Sequence, residues 1–229
     1  MPKLTLHYHP LSSYCHKVLI AIEELGVDVD RQVLNLGDPE ERAAHLARWP
    51  TGKMPLLMDG FRPVSESSII IEYLQHRHAR PGRALIPEAP DAALDVRLWD
   101  RMFDLYVMTP MQQLTADLLR PEAQRDSRGV ARSRETLVSA YGFIDRHLAG
   151  RTWVNGDAFS LADCAAVPAL FYAFTYLPLP PAHDHLSAYF ERLMNRPSVA
   201  RTVDQARPFF KFYPGRAGLL PRFFDPDKD

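Results

Sequence analysis

The stretch YHPLSSYCHKVLIAIEEL, residues 8–25, joins a strand-like run to an apolar helix through a short turn. Upstream of the turn, residues 3–9 alternate apolar and polar side chains, which is the period of a half-buried strand. Downstream, apolar residues from Val18 to Leu25 recur every three or four positions, and Gly26 follows where a helix C-cap falls. The chain is therefore predicted to begin with a strand, a turn and a helix.

The segments that follow continue to alternate between strand and helix patterns. Residues 29–36 are typical of a strand, and residues 39–49 of a helix with Pro39 at its start. Two short apolar runs then flank Asp59–Gly60, a dipeptide that favours a two-residue hairpin, and residues 65–78 give another helical pattern. This βαβαββα order predicts a mixed sheet packed between helices.

The remainder of the chain has only helical patterns. A proline-containing segment, residues 81–90, is a linker candidate, so the predicted domains are residues 1–80 and an all-helical domain, residues 91–229. One long amphipathic segment is expected from Asp91 to Leu119, and shorter helices follow it. Ser160 and Asp163 form an S-x-x-D capping box at the start of one of them.

Composition excludes several classes of protein. The 229 residues carry 27 basic and 28 acidic side chains, a net charge of -1, which gives no broad field to attract nucleic acid or anionic lipid. The chain has two cysteines, far apart, which favours a reducing cytoplasm over a disulfide framework. His7 and His9 lack further ligands at metal spacing, so no metal is expected. The longest apolar stretch is too short to span a bilayer, and the N-terminus lacks the apolar core of a signal peptide.

The turn of residues 10–13 can be interpreted in two ways from the residues alone. It places main-chain N–H groups and the positive end of a helix dipole beside the hydroxyls of Ser12 and Ser13, an arrangement that stabilises an anion. Serine is also a preferred helix N-cap, which needs no further function.

Four separated motifs resemble the cytosolic glutathione S-transferase superfamily. Within it, the chain resembles a bacterial member of the serine type, similar to the theta, zeta and tau classes. PLSSYCHKV at residues 10–18 resembles the catalytic loop of the family, and GKMPLL at residues 52–57 its cis-proline segment. SESSIIIEYL at residues 65–74 is similar to the glutamate–serine pair that opens the third helix, and FSLADCAAVPAL at residues 159–170 to the capping motif of the helical domain. The resemblance implies a thioredoxin-like N-terminal domain and an all-α C-terminal domain.

The resemblance implies a glutathione site in the first domain. A cis Met54–Pro55 bond would leave the main chain of Met54 free to pair with the peptide. Ser67 and the helix start would hold the γ-glutamyl carboxylate, while Glu66 faces the ammonium group. Lys53 could reach the glycyl carboxylate.

Ser12 is the expected activator of the glutathione thiol, by its position in the resembling loop. Its hydroxyl would donate to the sulfur and favour the thiolate. Ser13 and Tyr8 are rivals, and Tyr8 is equally plausible as a core ring because it shares a strand face with Leu4 and Leu6. Cys15 is either a buried small hydrophobe or a modifiable thiol.

The resemblance further implies an acceptor pocket between the domains, lined from the long first helix of the helical domain and from the C-terminal tail. The expected pocket residues are Met102, Phe103, Tyr106, Met111, Phe209 and Phe210. A methionine and aromatic stripe at helical spacing also fits a core, whereas the tail aromatics have no obvious partner.

These residues favour a cytoplasmic, homodimeric glutathione transferase of a detoxification type, with glutathione as co-substrate and a small apolar electrophile as acceptor. Alternatives are a glutathione-dependent isomerase, dehalogenase or ether-cleaving lyase, since SSYC also resembles the zeta-class loop. The alternative that is not an enzyme is a non-catalytic glutathione-binding or regulatory module of the same fold.

Overall fold

The computed structural model describes residues 3–224 of the chain, which form two compact units that divide between Ile86 and Pro87. The boundary falls inside the segment proposed as a linker. Leu85 and Ile86 are buried in the first unit, where the side-chain oxygen of Gln75 accepts hydrogen bonds from both main-chain N–H groups at 2.8 and 2.9 Å. This part of the segment is therefore packed.

The first unit has the predicted βαβαββα order. Its elements are β1 (Leu4–Tyr8), α1 (Ser13–Leu25), β2 (Asp30–Val33), α2 (Pro39–Arg48), β3 (Leu56–Asp59), β4 (Arg62–Val64) and α3 (Ser67–His78). The strands form one mixed sheet in the order β2-β1-β3-β4, in which β1 and β2 are parallel and the other pairs are antiparallel. The mixed sheet with helices is confirmed.

Strand β2 is shorter and more exposed than its sequence pattern suggested. Only Asp30–Val33 pairs with β1, and all four residues are exposed. Because β2 lies at one edge of the sheet, charged side chains there also oppose pairing with another strand.

The second unit is helical, as predicted. Its helices are α4 (Pro90–Phe103), α5 (Thr109–Leu118), α6 (Ser127–Leu148), α7 (Leu161–Tyr176), α8 (Asp184–Met194) and α9 (Pro197–Ala206), with short 3₁₀ turns between and after them. Among residues 3–224, none of the helices combines the length and apolar character needed to cross a membrane.

The predicted continuous helix from Asp91 to Leu119 is wrong in one respect: a π-helical turn, Asp104–Met108, separates α4 from α5. The Thr109 N–H reaches back to the carbonyl of Asp104, and its hydroxyl donates to the same oxygen at 2.9 Å. Pro110 has no N–H to continue the α-helical ladder at this point, so the wider turn leaves fewer carbonyls unpaired.

Helix α7 is the centre of the second unit, because its residues Leu161–Ala173 are all buried. The capping box at its start is confirmed. Asp163 Oδ2 accepts from the N–H and the hydroxyl of Ser160, both at 2.8 Å. Asp163 Oδ1 accepts from the Val154 N–H at 3.0 Å and from the Tyr189 hydroxyl at 2.6 Å. One carboxylate thus joins a loop, α7 and α8.

The tail aromatics, which had no obvious partner in the sequence, pack on α7. Phe210 is fully buried and stacks on Phe171 with ring centroids 5.7 Å apart. Tyr213 meets the ring of Tyr172 at 5.0 Å, and its hydroxyl lies 2.9 Å from the Thr175 hydroxyl. A helix that is apolar all round must be covered on every side, and the tail covers one of them.

Candidate functional site

Five of the predicted glutathione-site residues lie at the end of the sheet where β1 stops. His7 near the end of β1 pairs with Leu56 at the start of β3, and Leu57 pairs with Val64 at the end of β4. Residues that follow β1, precede β3 and follow β4 must therefore meet there. The gathered residues are Ser12, Met54, Pro55, Glu66 and Ser67.

Ser12 is the N-cap of α1. Its backbone is extended, and its Oγ accepts from the Cys15 N–H at 3.4 Å. The residue is half-buried. Since the oxygen accepts from the helix, the hydroxyl hydrogen can be donated to an anion placed beyond the helix start. The cap role and the anion-stabilising role are compatible.

Two histidines fix the turn that carries Ser12. His9 Nδ1 accepts from the Leu11 N–H at 3.1 Å, and the His9 carbonyl accepts from the Ser12 N–H at 3.0 Å. His16 Nε2 lies 2.6 Å from the Pro10 carbonyl, so this nitrogen carries the hydrogen and donates it. Burial lowers the pKa of His16 to about 4, and the ring is neutral at pH 7.

We expect the free energy of unfolding to fall as the pH is lowered from about 6.5 towards 4, because His16 stays neutral when folded while the unfolded chain takes up a proton. This stabilisation is complete above pH 6.5. The loss reaches about 3 kcal/mol, from a shift of roughly two units or more at 1.4 kcal/mol each. Burial lowers the pKa of His7 as well, which acts in the same direction. Urea unfolding at several pH values measures this loss in the free energy of unfolding. His16→Gln, which cannot titrate, should remove the contribution of His16 to this loss and leave that of His7; an unchanged profile would contradict the assignment.

The two rival activators occupy different surroundings. Ser13 is the first residue of α1 and is buried. Tyr8 is half-buried, and burial raises the pKa of its hydroxyl. Cys15 is fully buried, and burial raises the pKa of its thiol to about 12. Of the four, Ser12 combines a helix start with partial exposure.

The segment before β3 supplies a main-chain surface. Met54–Pro55 is a cis peptide bond, and no described residue hydrogen-bonds to the main chain of Met54. Its N–H and C=O are therefore open for strand-like pairing with an extended peptide. The side chain of Lys53 is exposed.

The segment after β4 supplies a helix start. Glu66 has φ +66° and ψ 118°, a backbone conformation that residues other than glycine rarely adopt. Strain of this kind is often kept at functional sites, because it fixes the direction of neighbouring groups. Here the strained residue is the N-cap of α3 and directly precedes the buried Ser67. The first N–H groups of α3 have no partners within the helix, so they favour a carboxylate.

Two supporting residues were missed in the sequence. Lys17 is fully buried, and its Nζ donates to Ser68 Oγ at 3.0 Å, which ties α1 to the start of α3. His45 is fully buried in α2, and its Nε2 lies 3.0 Å from the Lys53 carbonyl, to which it donates. The available signal for Lys17 was a charged residue directly before the apolar run of residues 18–22. His45 gave none, since the sequence pattern does not show which side of α2 packs on the sheet.

The predicted acceptor residues separate into two groups in the second unit. Met102 is half-buried and Tyr106 is exposed, and both line a cavity of about 510 Å³ with α6 residues that include Ala140 and Phe143. Phe103, Met111 and Phe210 are buried in the core of the unit, and Phe209 is half-buried. Among residues 3–224 there is no group of three side chains that could hold a metal ion.

Comparison with known proteins gives a consistent result over both units. Residues 6–82 match the N-terminal domain model of glutathione S-transferases, and residues 105–197 match the C-terminal domain model. Glutathione S-transferase 3 of Zea mays is 30% identical over 210 residues, 89% of this chain and 94% of the relative. Glutathione S-transferase A of Pleuronectes platessa is 28% identical over 205 residues, 86% of this chain and 89% of the relative.

Solved structures agree. A glutathione S-transferase from Methylobacillus flagellatus with glutathione bound has a TM-score of 0.79 and 30% identity, covering 87% of this chain and 98% of that one. One from Methylobacterium radiotolerans, in complex with glutathione sulfonate, has a TM-score of 0.77 and 29% identity, covering 87% and 94%. The fold, the gathered residues and these matches together show that the chain is an enzyme of the glutathione S-transferase family.

Proposed function

We propose that the protein binds glutathione on its first unit and activates the thiol, through Ser12, for attack on an apolar electrophile. The observation that carries this proposal is the strand register that gathers Ser12, Met54 and Ser67 at one end of the sheet. A hydroxyl donor, an unpaired main-chain strand and a helix start are what a short thiol peptide with a carboxylate needs. The protein would thus be a serine-type transferase.

The chemical step is a nucleophilic substitution or addition. The Ser12 hydroxyl donates to the glutathione sulfur, and the thiol proton passes to solvent. The thiolate sulfur then forms a bond to the electrophilic carbon, and the leaving group departs with its electron pair, or a π pair moves to the neighbouring atom. A free thiol has a pKa of about 8.5, so a donor that lowers it raises the fraction of nucleophile at neutral pH.

The peptide would be held by the remaining residues of the cluster. The Met54 main chain pairs with the cysteinyl residue past Pro55, while the α3 start and Ser67 hold the γ-glutamyl carboxylate. Glu66 faces the ammonium group and Lys53 the glycyl carboxylate. The acceptor would use the cavity of Met102 and Tyr106 in the second unit. A cytoplasmic detoxification role fits such a reaction.

Ser67→Ala is expected to weaken glutathione binding by about ten- to a hundredfold, because a hydrogen bond to a charged group contributes roughly 1.5–3 kcal/mol. Turnover at saturating glutathione should change much less. Isothermal titration calorimetry with glutathione measures the affinity. Ser65→Ala, which removes a hydroxyl ahead of the helix start, is the matched control and should bind normally. Equal affinities for the two variants would refute the carboxylate assignment.

We also propose a homodimer, supported by apolar side chains that have no cover. Phe61 at the β3–β4 turn is fully exposed. Leu94, Leu98 and Leu105 are each more than half exposed on α4 and the π-helical turn. Exposed apolar side chains of this kind, one in the first unit and three in the second, are typical of surfaces that pack against a second copy. Leu98→Asp should halve the molar mass measured by light scattering, whereas Leu119→Asp, at an exposed leucine outside this set, should leave it unchanged. A dimer that persists in Leu98→Asp contradicts this surface.

A further inference from the structure

Lys17 is a buried lysine of the first unit and the fifth residue of α1. Its side chain is fully buried, whereas the other described lysines, Lys3, Lys53 and Lys211, are exposed. Lysine is almost never buried completely unless its ammonium group has polar partners, because desolvation of the charge costs free energy. The surroundings of the Lys17 Nζ therefore show what this charge stabilises.

The Nζ of Lys17 lies at the start of α3. It donates a hydrogen bond to Ser68 Oγ at 3.0 Å, and Ser68 directly follows Ser67, the proposed ligand of the γ-glutamyl carboxylate. The first hydrogen bond within α3 runs from the Ile70 N–H to the Glu66 carbonyl at 2.8 Å. The helical N–H groups before Ile70 have no acceptor further back in the helix. The ammonium group thus adds a full positive charge to the partial charge of this helix start.

The start of α3 lacks the acidic side chains that usually compensate such a partial charge. Residues 67–70 are SSII, so the first turn carries no carboxylate. Among the described residues, the N-cap Glu66 makes no side-chain cap hydrogen bond to the helix. Helix α2 has the usual arrangement, because Asp38 accepts from the N–H groups of Glu40 and Glu41, which are themselves acidic. The positive end of α3 is therefore suited to an anion from outside the helix.

We propose that Lys17 is a positioning residue for glutathione, whose buried ammonium group attracts the γ-glutamyl carboxylate to the start of α3 without touching it. Buried charges are screened by solvent much less than exposed ones, so a charge held beside the residue that follows Ser67 contributes to carboxylate binding. The hydrogen bond to Ser68 fixes the position of this charge. The inference rests on the proposed glutathione site and adds a residue that lies behind it.

Binding of two ligands to the native protein and to Lys17→Met tests the proposal. The ligands are glutathione and an analogue in which a carboxamide replaces the γ-glutamyl α-carboxylate. Methionine keeps an unbranched side chain and removes the charge. Lys17→Met should weaken the binding of glutathione about tenfold and that of the neutral analogue by less than about twofold. Isothermal titration calorimetry measures the four dissociation constants.

Two further variants separate the effect of the charge from that of packing. Lys17→Gln also removes the charge but keeps a donor for Ser68, and it should show the same selective loss of glutathione affinity. Lys3→Met makes the same change as Lys17→Met at an exposed lysine of the same unit, and it should leave both affinities unchanged. Circular dichroism and thermal melting check that each variant folds.

Different results identify which of the two proposals fails. If the native protein binds the two ligands equally, the carboxylate assignment is wrong, and the role of Lys17 falls with it. If the native protein prefers glutathione but Lys17→Met and Lys17→Gln weaken both ligands to the same extent, Lys17 serves packing alone and the glutathione site stands. Unchanged affinities in both variants also refute the role of Lys17 and leave the site intact.

Discussion

Ser12→Ala should lower turnover at neutral pH by about a hundredfold while changing the affinity for glutathione by less than about threefold. The hydroxyl would act on the sulfur only, so its loss leaves the contacts of Met54 and Ser67 intact. A depression of the thiol pKa by about two units corresponds to ~2.7 kcal/mol and sets the size of the effect. The variant also loses the N-cap of α1, which costs about 1 kcal/mol of stability and is far too little to unfold the protein.

The pKa of bound glutathione separates this explanation from a general loss of structure. Ultraviolet absorbance of the thiolate, followed as the pH is lowered, should show ionisation well below the free value in the native protein. In Ser12→Ala the bound thiol should return to about 8.5. Ser13→Ala is the matched control, since it removes the neighbouring hydroxyl and should retain the shifted value. A thiol that stays shifted in Ser12→Ala would move the role to Ser13 or Tyr8.

Asp163→Ala should have the largest effect on stability, with a loss of about 3–5 kcal/mol in the free energy of unfolding. The carboxylate accepts four hydrogen bonds at a fully buried position. Alanine would leave the Val154 and Ser160 N–H groups and the Tyr189 hydroxyl buried without partners, and each such group costs about 1–3 kcal/mol. The start of α7 would lose its cap at the same time.

Urea unfolding followed by the fluorescence of Trp153 is suited to this test, because that ring lies 6.4 Å from the ring of Tyr189. Asp184→Ala is the control: this aspartate is in the first turn of α8 and exposed, so only its helix-dipole interaction of about 0.3–1 kcal/mol is lost. A loss below about 1 kcal/mol in Asp163→Ala would show that the network contributes little.

The parts of the fold that could be predicted were those set by local chemistry. The alternation of residues 3–9 and the Asp59–Gly60 turn each specify their element within a few residues. The capping box of Ser160 and Asp163 was readable for the same reason. These signals act between close neighbours in the sequence, and the structure retains them.

The parts that could not be predicted depend on contacts between distant residues. The hydrogen bond from Lys17 to Ser68 joins two helices 51 positions apart, and no local pattern encodes it. The same holds for the tail: Phe210 had no visible partner because its partner, Phe171, lies in a helix whose apolar residues face every direction. The π-helical turn before Pro110 was also missed. Such a turn adds one residue to an α-helix, and this changes the spacing of the apolar residues very little.

The burial of Cys15 should make the protein resistant to alkylation and oxidation of this cysteine. Both cysteines, Cys15 and Cys164, are buried and take no part in a disulfide bond. Thiolates are what alkylating agents and oxidants attack, and a thiol whose pKa is about 12 is almost never ionised in a cell. The Cys15 thiol therefore competes poorly with glutathione for an electrophile or an oxidant. The protein should withstand iodoacetamide and glutathione disulfide for as long as it stays folded.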